Sequence, residues 1–223
     1  MRILTSAQMK EAERRADAAG LSYRQMMENA GAAAARFIES RETLPGREVL
    51  ILTGSGNNGG DGYVAARLLA EAGAQVRLVL VDGEPRTGDS RANRALALER
   101  GIPEIPLEAL TDSGFSGKVA VDALYGTGFH GALRSRARQA VRWLNASGAR
   151  VYALDLPSGL QADSGESDPD SVRAHVTIAF DSLKPAHRME AASLLCGEVV
   201  CVDIGIPEEC HPGEDAGEEN ALL

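Results

Sequence analysis

Three polar segments of this 223-residue chain each follow a short apolar run and carry side chains that are able to do chemistry. They span residues 54–62, 122–132 and 155–159. Asparagine amides, aspartates and many glycines in such segments are suited to binding a polar ligand and to moving protons. In an open parallel sheet, ligands bind beyond the carboxyl ends of the strands. We therefore expect the three segments to meet at one edge of a sheet.

The first segment has the Gly-x-Gly-x-x-Gly spacing of dinucleotide-binding turns, from Gly54 to Gly59. Asp82 ends the next apolar run 23 residues after Gly59, near where an acid that binds a ribose is expected. Taken alone, these features predict a nicotinamide dehydrogenase. Asp61 argues against a plain phosphate site, because a carboxylate at the predicted start of a helix would repel a pyrophosphate. Asn57 and Asn58 add amides suited to hydroxyls, a carboxamide or a cation.

The second segment repeats the Gly-x-Gly-x-x-Gly spacing from Gly126 to Gly131 and precedes another helical run. No acid intervenes, and Arg134 and Arg136 follow within the first helical turns. This segment is therefore predicted to be the better phosphate site. Asp122 lies at the end of the preceding apolar run, where a carboxylate is usually a cap or a ligand rather than a core residue.

The third segment, 155–159, places Asp155 at the end of an apolar run and Ser158 in a proline-fixed turn. Asp155 is a candidate general acid or base, and a simple turn-capping role is the alternative. Ser158 is not predicted to be a nucleophile, because the chain has no Gly-x-Ser-x-Gly elbow and no histidine nearby in sequence. Lys184 follows the next apolar run and could reach the same edge, although a solvated loop lysine is the commoner case.

The elements that must position these residues follow an alternating pattern. From Arg47 onward, short β-branched runs alternate with helical stretches, which is typical of βαβ units and a mainly parallel sheet. Helices are predicted at roughly 62–72, 90–100 and 132–146, and two earlier helices begin at the capping-box patterns 5–8 and 22–25. The six predicted strands are 49–52, 76–81, 119–121, 151–154, 176–180 and 199–202.

Composition limits the classes of function. The chain is 44% hydrophobic and 25% charged, and it has no apolar run of eighteen residues, so neither a membrane span nor a signal peptide is expected. Residues 189–223 hold nine acids and no Lys or Arg, which leaves the body of the chain balanced despite a net charge of −9. A balanced body with 4% aromatic residues does not favour nucleic acid binding.

The organisation predicted is one domain over residues 1–207, followed by an acidic flexible tail or the start of a linker over 208–223. Three cysteines without Cys-x-x-Cys spacing do not indicate a disulfide framework or a zinc ribbon, and a reducing cytoplasm fits best. Cys201 is expected in the core, and Cys210 and His211 in the tail.

Three blocks stand in order along the chain: Asn57-Asn58-Gly59-Gly60-Asp61-Gly62, Asp122-Ala123-Leu124-Tyr125-Gly126-Thr127-Gly128 and Asp155-Leu156-Pro157-Ser158-Gly159. In that order they closely resemble the YjeF amino-terminal domain family, the NAD(P)HX epimerases. Segments 27–31 and 202–207 resemble the start and the last strand of that family. The likeness covers nearly the whole body of the chain.

The resemblance implies a Rossmann-like three-layer α/β/α sandwich with a mainly parallel central sheet and two amino-terminal helices, often a homodimer. It implies action on NAD(P)HX, the hydrate formed when water adds across the nicotinamide ring of NADH or NADPH. The implied reaction interconverts the R and S epimers, so that a companion dehydratase, fused to the epimerase in many relatives, can restore the cofactor. A preference between NADHX and NADPHX is left open.

Residue roles also follow from the resemblance. It implies a potassium ion held by Asn58, Asp122 and Ser158, and oxygen donors of this kind suit a hard cation. It puts Asp155 at the reacting ring. Tyr63, Tyr125 and Ala186 stand where Leu, Phe and Gly are frequent, which affects only the shape of the pocket. The implied substrate contacts are Asn57, Asn58, Gly59, Gly60, Asp61, Gly126, Thr127, Gly128, Phe129, His130, Gly131, Ala132 and Asp155.

The implied chemistry suits a single carboxyl group. The ring nitrogen beside the epimerised carbon can expel the hydroxyl and form an iminium, which water then attacks from either face. Asp155 is the candidate that protonates the leaving hydroxyl and deprotonates the incoming water. A positioned acid or base contributes on the order of 10²–10⁴-fold to such a reaction.

Two other functions remain as alternatives. An oxidoreductase that uses intact NAD(P) would explain the first glycine motif and Asp82, but it leaves Asp61, Asp122 and Asp155 without a role. A non-catalytic scaffold of the same fold that binds a nucleotide derivative has no need to retain Asp155, Asn58 and Asp122.

Overall fold

The strands of this chain are short, and those at the centre of the sheet bury most of their side chains. The computed structural model describes residues 2–110, 115 and 118–212. In that part of the chain the strands are β1 (Glu48–Thr53), β2 (Gln75–Leu80), β3 (Glu104–Pro106), β4 (Val119–Ala123), β5 (Arg150–Leu154), β6 (Val176–Phe180) and β7 (Glu198–Val202). All pair in parallel, in the order β3-β2-β1-β4-β5-β6-β7.

Six α-helices accompany these strands within the described residues. The helices are α1 (Ser6–Ala18), α2 (Tyr23–Arg41), α3 (Asn57–Glu71), α4 (Gly88–Glu99), α5 (Ser135–Ala146) and α6 (Glu190–Cys196). The predicted capping box is confirmed at α1, whereas at α2 only the Ser22 N-cap forms and the Gln25 side chain donates to Asn29 instead. The Thr5 side chain accepts a hydrogen bond from the backbone of Gln8, whose side chain caps Thr5 in return, and the Ser22 side chain accepts from the backbone of Gln25. No helix in the described part of the chain is long and apolar enough to cross a membrane.

The helices cover both faces of the sheet. Alternate residues of β1 point to opposite sides, so that Val49 and Ile51 join a core cluster with α1, α2 and α3, whereas Leu50 and Leu52 join a second cluster with α5. All four side chains are fully buried. This arrangement confirms the predicted three-layer α/β/α sandwich with a parallel central sheet.

The strand order places a crevice between β1 and β4. The chain moves from β1 to β2 and β3 on one side, and then returns to β4 on the other side of β1. Ligands in open α/β sheets bind at such a reversal of strand order. The register sets Leu52 beside Asp122 and Asp122 beside Ala153, so the polar segments that follow these strands begin at nearly the same level.

Several element boundaries differ from the sequence predictions. The edge strand β3 was not predicted, because it has three residues and ends in Pro106. The short helix α6 was not predicted either. The helix α3 begins at Asn57 rather than near residue 62, although Asn-Asn-Gly-Gly is a poor local helix former. Tertiary packing decides this case, since a Cβ added at Gly60 in the first turn of α3 would lie 2.5 Å from Sδ of Met27 on α2.

Both ends of the described chain pack against the sheet. The backbone of Leu4 donates to Leu183, whose own N–H donates to Arg2. Near the other end, Cys210 is buried and the ring of His211 lies 2.9 Å from the Asp181 carboxylate, so residues 208–211 are part of the packed body. Residues 213–223 of the predicted tail lie outside the described residues.

Candidate active site

A cavity of about 550 Å³ opens at the carboxyl ends of the central strands. Its walls come from the segments after β1, β4 and β5 and from the two amino-terminal helices. Gly59, Gly60 and Gly131 from the predicted contact set do not line it. The predicted residues that do line it are Asn57, Asn58, Asp61, Gly126, Thr127, Gly128, Phe129, His130, Ala132 and Asp155.

Asp155 stands immediately after β5 and is 7% exposed. Its backbone has a φ of 64°, in the left-handed region that is sparsely populated by residues other than glycine. The Asp155 N–H donates to the carbonyl of Ile178, which fixes this conformation at the end of β5. Strained backbone of this kind occurs where a side chain must be aimed at a particular point. Here it aims the carboxylate into the cavity.

Lys184 is the partner of Asp155. Its Nζ lies 2.5 Å from Asp155 Oδ1 and also donates to the carbonyl oxygens of Phe180 and Ser182, at 2.9 and 3.0 Å. The side chain is 1% exposed, so the solvated loop lysine considered from the sequence is a buried, fully hydrogen-bonded cation. The second oxygen, Asp155 Oδ2, accepts from the Thr127 backbone at 3.3 Å. Both carboxylate oxygens therefore act as acceptors.

Asp122 and Ser158 form a second polar group beside this pair. The Ser158 hydroxyl and N–H both donate to the Asp122 carboxylate, at 2.7 and 2.8 Å, and the hydroxyl accepts from the backbone of Tyr125. Asp122 is fully buried, and burial raises its pKa to about 6 against the hydrogen bonds from Ser158 and Leu124. A buried carboxylate without a cationic side chain beside it is a favourable place for a bound cation.

Asn58 contributes amide groups that lack a protein partner. The side chain is 8% exposed, and neither its oxygen nor its nitrogen has a hydrogen-bond partner among the described residues. A Cβ added at Gly126 would lie 3.6 Å from Asn58 Cγ and 3.0 Å from Asp155 Oδ2, so Asn58 and Asp155 flank the same glycine. Unpaired buried amides are costly, which indicates that a ligand satisfies Asn58. The described residues contain no cluster of three His, Cys, Asp or Glu side chains that could hold a metal ion.

The two helix N-termini near the cavity differ from what the sequence predicted. Asp61 is the fifth residue of α3, and burial raises its pKa well above its usual range, which favours the uncharged form. At the start of α5, the backbone of Leu133 donates to the buried Asp168 carboxylate, which also pairs with Arg138. We expected a charged Asp61 to repel a phosphate at the start of α3, and we expected no acid near the start of α5. Both expectations are wrong. Asp168 is 35 residues away in sequence, so no local pattern could reveal it.

Asp82 lies at the same edge of the sheet as Lys184 but near the opposite end of that edge. It lines the cavity after β2, and the hydroxyl of Tyr125 donates to its carboxylate. Burial and the Asp82 carboxylate both raise the pKa of Tyr125. Asp82 and Lys184 follow β2 and β6, which are four strand spacings apart in the sheet, or roughly 19 Å.

Sequence reasoning did not identify one wall of the cavity. Met9, Lys10 and Glu13 of α1 line it, and so do Met26 and Met27 of α2. All three methionines are buried. The signal available for Glu13 was weak, because an acid in a charged amphipathic helix is usually solvated.

Comparison with known proteins places these features in a family context. Residues 23–186 match the sequence profile described as YjeF-related protein N-terminus. The chain is 40% identical to the NAD(P)H-hydrate epimerase of Pirellula staleyi over 190 residues, covering 82% of each chain. It is also 40% identical to the bifunctional NAD(P)H-hydrate repair enzyme Nnr of Pyrobaculum aerophilum, covering 97% of this chain and 45% of that protein.

The fold has a counterpart among known crystal structures. The yeast protein YNL200c superimposes with a TM-score of 0.76 at 23% identity, covering 91% of this chain and 88% of the yeast chain. This likeness supports the architecture of the sandwich. The present chain spans about half the length of the bifunctional relatives and most of the length of the single-function relatives that it matches.

Proposed function

This chain belongs to the family of YjeF-related protein N-termini, and we propose on that premise that it is an epimerase of hydrated NADH and NADPH. The substrate is NAD(P)HX, and the reaction interconverts its R and S forms for repair of the nicotinamide cofactor. The observation that carries the proposal is the carboxylate of Asp155, aimed into the cavity and held by the buried Lys184. Relatives at about 40% identity are named NAD(P)H-hydrate epimerase or repair enzyme, which supports the same reaction.

Asp155 is the proposed catalytic carboxylate. The hydroxyl at the epimerised carbon takes a proton from a general acid and departs as water while the ring nitrogen forms an iminium, and a carboxylate beside that carbon stabilises the cation. The same carboxylate can accept a proton from the water that attacks the iminium. Lys184 uses its three N–H groups on Asp155 and two carbonyls, so its role is to hold the carboxylate rather than to contact the substrate.

The length of the site suits a dinucleotide. The roughly 19 Å between the strand ends that carry Asp82 and Lys184 exceeds the span of a single nucleoside monophosphate. We propose that the ring binds at Asp155 and that the adenosine ribose lies near Asp82. The diphosphate then lies at the start of α3, where Gly56 is the N-cap and no side chain caps the helix.

Potassium is the proposed resident ion. Asn58, Asp122 and Ser158 offer only oxygen ligands besides the amide nitrogen, and the unpartnered Asn58 oxygen is the observation that fits a cation. When bound, the ion would supply positive charge that offsets the buried Asp122 carboxylate and holds three loops together. This assignment extends to a monovalent ion a rule that is established for calcium and magnesium.

The same proposal includes a companion enzyme, an oligomeric state and a cellular compartment. A companion dehydratase is supported by the bifunctional relatives, whose names describe repair of NAD(P)H-hydrate. A homodimer follows from the family resemblance and is tested by light scattering of the purified protein. The three free cysteines support a reducing compartment such as the cytoplasm.

The two alternatives are not favoured. An oxidoreductase has no use for the Asp155–Lys184 pair at the position where the reacting ring would lie. A binding scaffold would leave the unpartnered Asn58 and the strained Asp155 without a purpose. Incubation of the purified protein with a defined mixture of NADHX epimers, followed by chromatographic separation, tests the proposal. Equilibration of the epimers no faster than without protein would reject it.

A further inference from the structure

Glu13 is a titratable residue inside the cavity that the reaction described above does not use. It is partly buried on α1 and lines the cavity together with Asp155 and Lys184. It has no hydrogen-bond or ion-pair partner among the described residues. The other glutamate of this helix differs from Glu13, since Glu11 forms ion pairs with Arg14 and Arg15 on the exposed side. Glu13 also precedes residues 23–186, which match the family profile.

The position of α1 over the reacting centre is fixed by contacts at its start. Ile3 forms a parallel bridge with Leu183, the residue before Lys184. The Ser6 hydroxyl donates to the carbonyl of Thr127 at 3.3 Å and to the Asp163 carboxylate at 3.1 Å. These contacts join the start of α1 both to the segment that carries Lys184 and to the second glycine loop. Glu13 and Asp155 therefore project into one cavity from different walls.

The charges that face Glu13 come from several elements. Asp155 follows β5, Lys184 and Asp181 follow β6, and Asp61 lies on α3. The titratable phenol of Tyr23 faces Glu13 from α2, and Lys10 precedes Glu13 on its own helix. Burial raises the pKa of Glu13 to about 7, the negative charge of Asp155 adds to the shift, and Lys184 opposes it. A carboxyl group with such a pKa exchanges protons efficiently near neutral pH.

One carboxyl group can serve both steps of the reaction, but a group on each face of the ring would serve each step directly. The hydroxyl must leave from one face of the ring, and water must add to the opposite face. We propose that Glu13 is a second catalytic residue of this site, serving the face of the ring opposite to the one served by Asp155. This inference rests on the proposed epimerase function and goes beyond it by naming the second acid and base.

The proposed step balances without any co-reactant. In one direction the Glu13 carboxyl gives its proton to the hydroxyl, the C–O bond breaks, water departs, and the ring-nitrogen lone pair forms the C=N⁺ bond. Water then adds to the same carbon from the other face, the C=N⁺ electrons return to nitrogen, and Asp155 accepts the released proton. The proton returns to Glu13 through solvent before the next turnover. The reverse direction exchanges the roles of the two groups.

The test uses the full chain, purified R and S epimers of NADHX, and water enriched in ¹⁸O. For Glu13→Gln we expect kcat for epimerisation to fall by at least about a hundredfold, with KM little changed. The wild-type rate should change with pH near the pKa of Glu13, and the variant should lose this change. Asp155 still serves its own face in this variant, so one epimer should keep exchanging its hydroxyl oxygen with ¹⁸O water without inversion, while the other epimer does not exchange.

Glu11→Gln is the matched control, because it makes the same change on the same helix outside the cavity, and it should match wild type. Glu13→Asp should keep part of the pH-dependent rate. Wild-type kcat and pH profile in Glu13→Gln would overturn the inference while leaving the epimerase function intact, and so would equal ¹⁸O exchange of both epimers. A wild-type protein that does not interconvert the epimers would overturn the proposed function and this inference together.

Discussion

The ammonium of Lys184 lies 2.5 Å from Oδ1 of Asp155, and the lysine side chain is 1% exposed. The group proposed to react is therefore also the counter-ion of a buried cation. Removing one partner of a buried ion pair leaves an uncompensated charge, which costs more than the pair contributes. Chemistry and stability are coupled at this position.

The first prediction concerns Asp155→Asn. The amide cannot exchange a proton usefully, so epimerisation should slow by at least about a hundredfold. The sequence alone suggests that this isosteric change leaves folding intact, but the structure predicts a loss of about 3–5 kcal/mol in the free energy of unfolding, because Lys184 loses its counter-ion. Urea denaturation and the epimer assay check the two parts.

The double variant Asp155→Asn with Lys184→Met separates these effects. Removing the buried charge should recover much of the stability, and activity should stay low because the carboxylate is still missing. Near-normal turnover by a correctly folded Asp155→Asn protein would show that Asp155 is not catalytic.

The second prediction concerns potassium and Asn58. Thermal stability of the wild type should be higher in potassium chloride than in the chloride of a large organic cation. In Asn58→Ala this difference should disappear, whereas stability without potassium should change little, because the Asn58 amide makes no hydrogen bond to the described protein residues. Thermal unfolding curves in the two salts measure both effects.

Asn57→Ala is the control for the potassium experiment, since Asn57 is the exposed neighbour on the same helical turn. It should keep the potassium response. Identical melting of the wild-type protein in the two salts would argue against a potassium site at Asn58, Asp122 and Ser158.

The third prediction decides which glycine loop holds the diphosphate. A Cβ at Gly56 or at Gly128 would meet nothing within 4 Å, so both positions accept a side chain. Asp is a favoured N-cap, so Gly56→Asp should fold well while its carboxylate takes the amides at the start of α3. We expect its dissociation constant for ADP-ribose to rise roughly tenfold or more, by charge repulsion at the helix terminus.

Gly128→Asp should weaken ADP-ribose binding less, and Gly56→Ala and Gly128→Ala report the effect of bulk alone. Isothermal titration calorimetry measures all four variants. A larger loss of affinity in Gly128→Asp than in Gly56→Asp would instead support the second glycine motif as the diphosphate site.

The fourth prediction concerns pH and His187. Burial lowers the pKa of His187 to about 4, and its Nδ1 accepts a hydrogen bond from the backbone of Lys184 at 3.0 Å. The unfolded chain therefore binds a proton at higher pH than the native protein does. The stability that the neutral ring contributes is complete above about pH 6.5, and up to about 3 kcal/mol should be lost as pH falls from there through 4.

His187→Gln keeps an acceptor for the Lys184 backbone but does not titrate in this range. The difference in the free energy of unfolding between wild type and this variant should change between pH 7 and 4.5, as measured by urea denaturation. A constant difference across that range would contradict the assignment.

Much of the fold followed from local pattern. Strand periodicity predicted six of the seven strands, and the capping residues Thr5 and Ser22 marked the starts of both amino-terminal helices. Polar residues placed after apolar runs indicated one site edge, because parallel strands all end on the same side of a sheet. The resemblance of the three blocks then predicted the family.

The remaining features depend on contacts between residues far apart in sequence. Asp168 reaches the start of α5, Gly60 in the first turn of α3 packs against Met27 of α2, and Ile3 joins the segment before Lys184. None of these contacts changes the local periodicity that a sequence reveals. The sequence by itself thus determined the parallel sheet, the edge that carries the site and the family. Only the tertiary structure decided that Lys184 is the buried partner of Asp155 and that Glu13 lines the same cavity, because burial and charge pairing depend on which distant elements pack together.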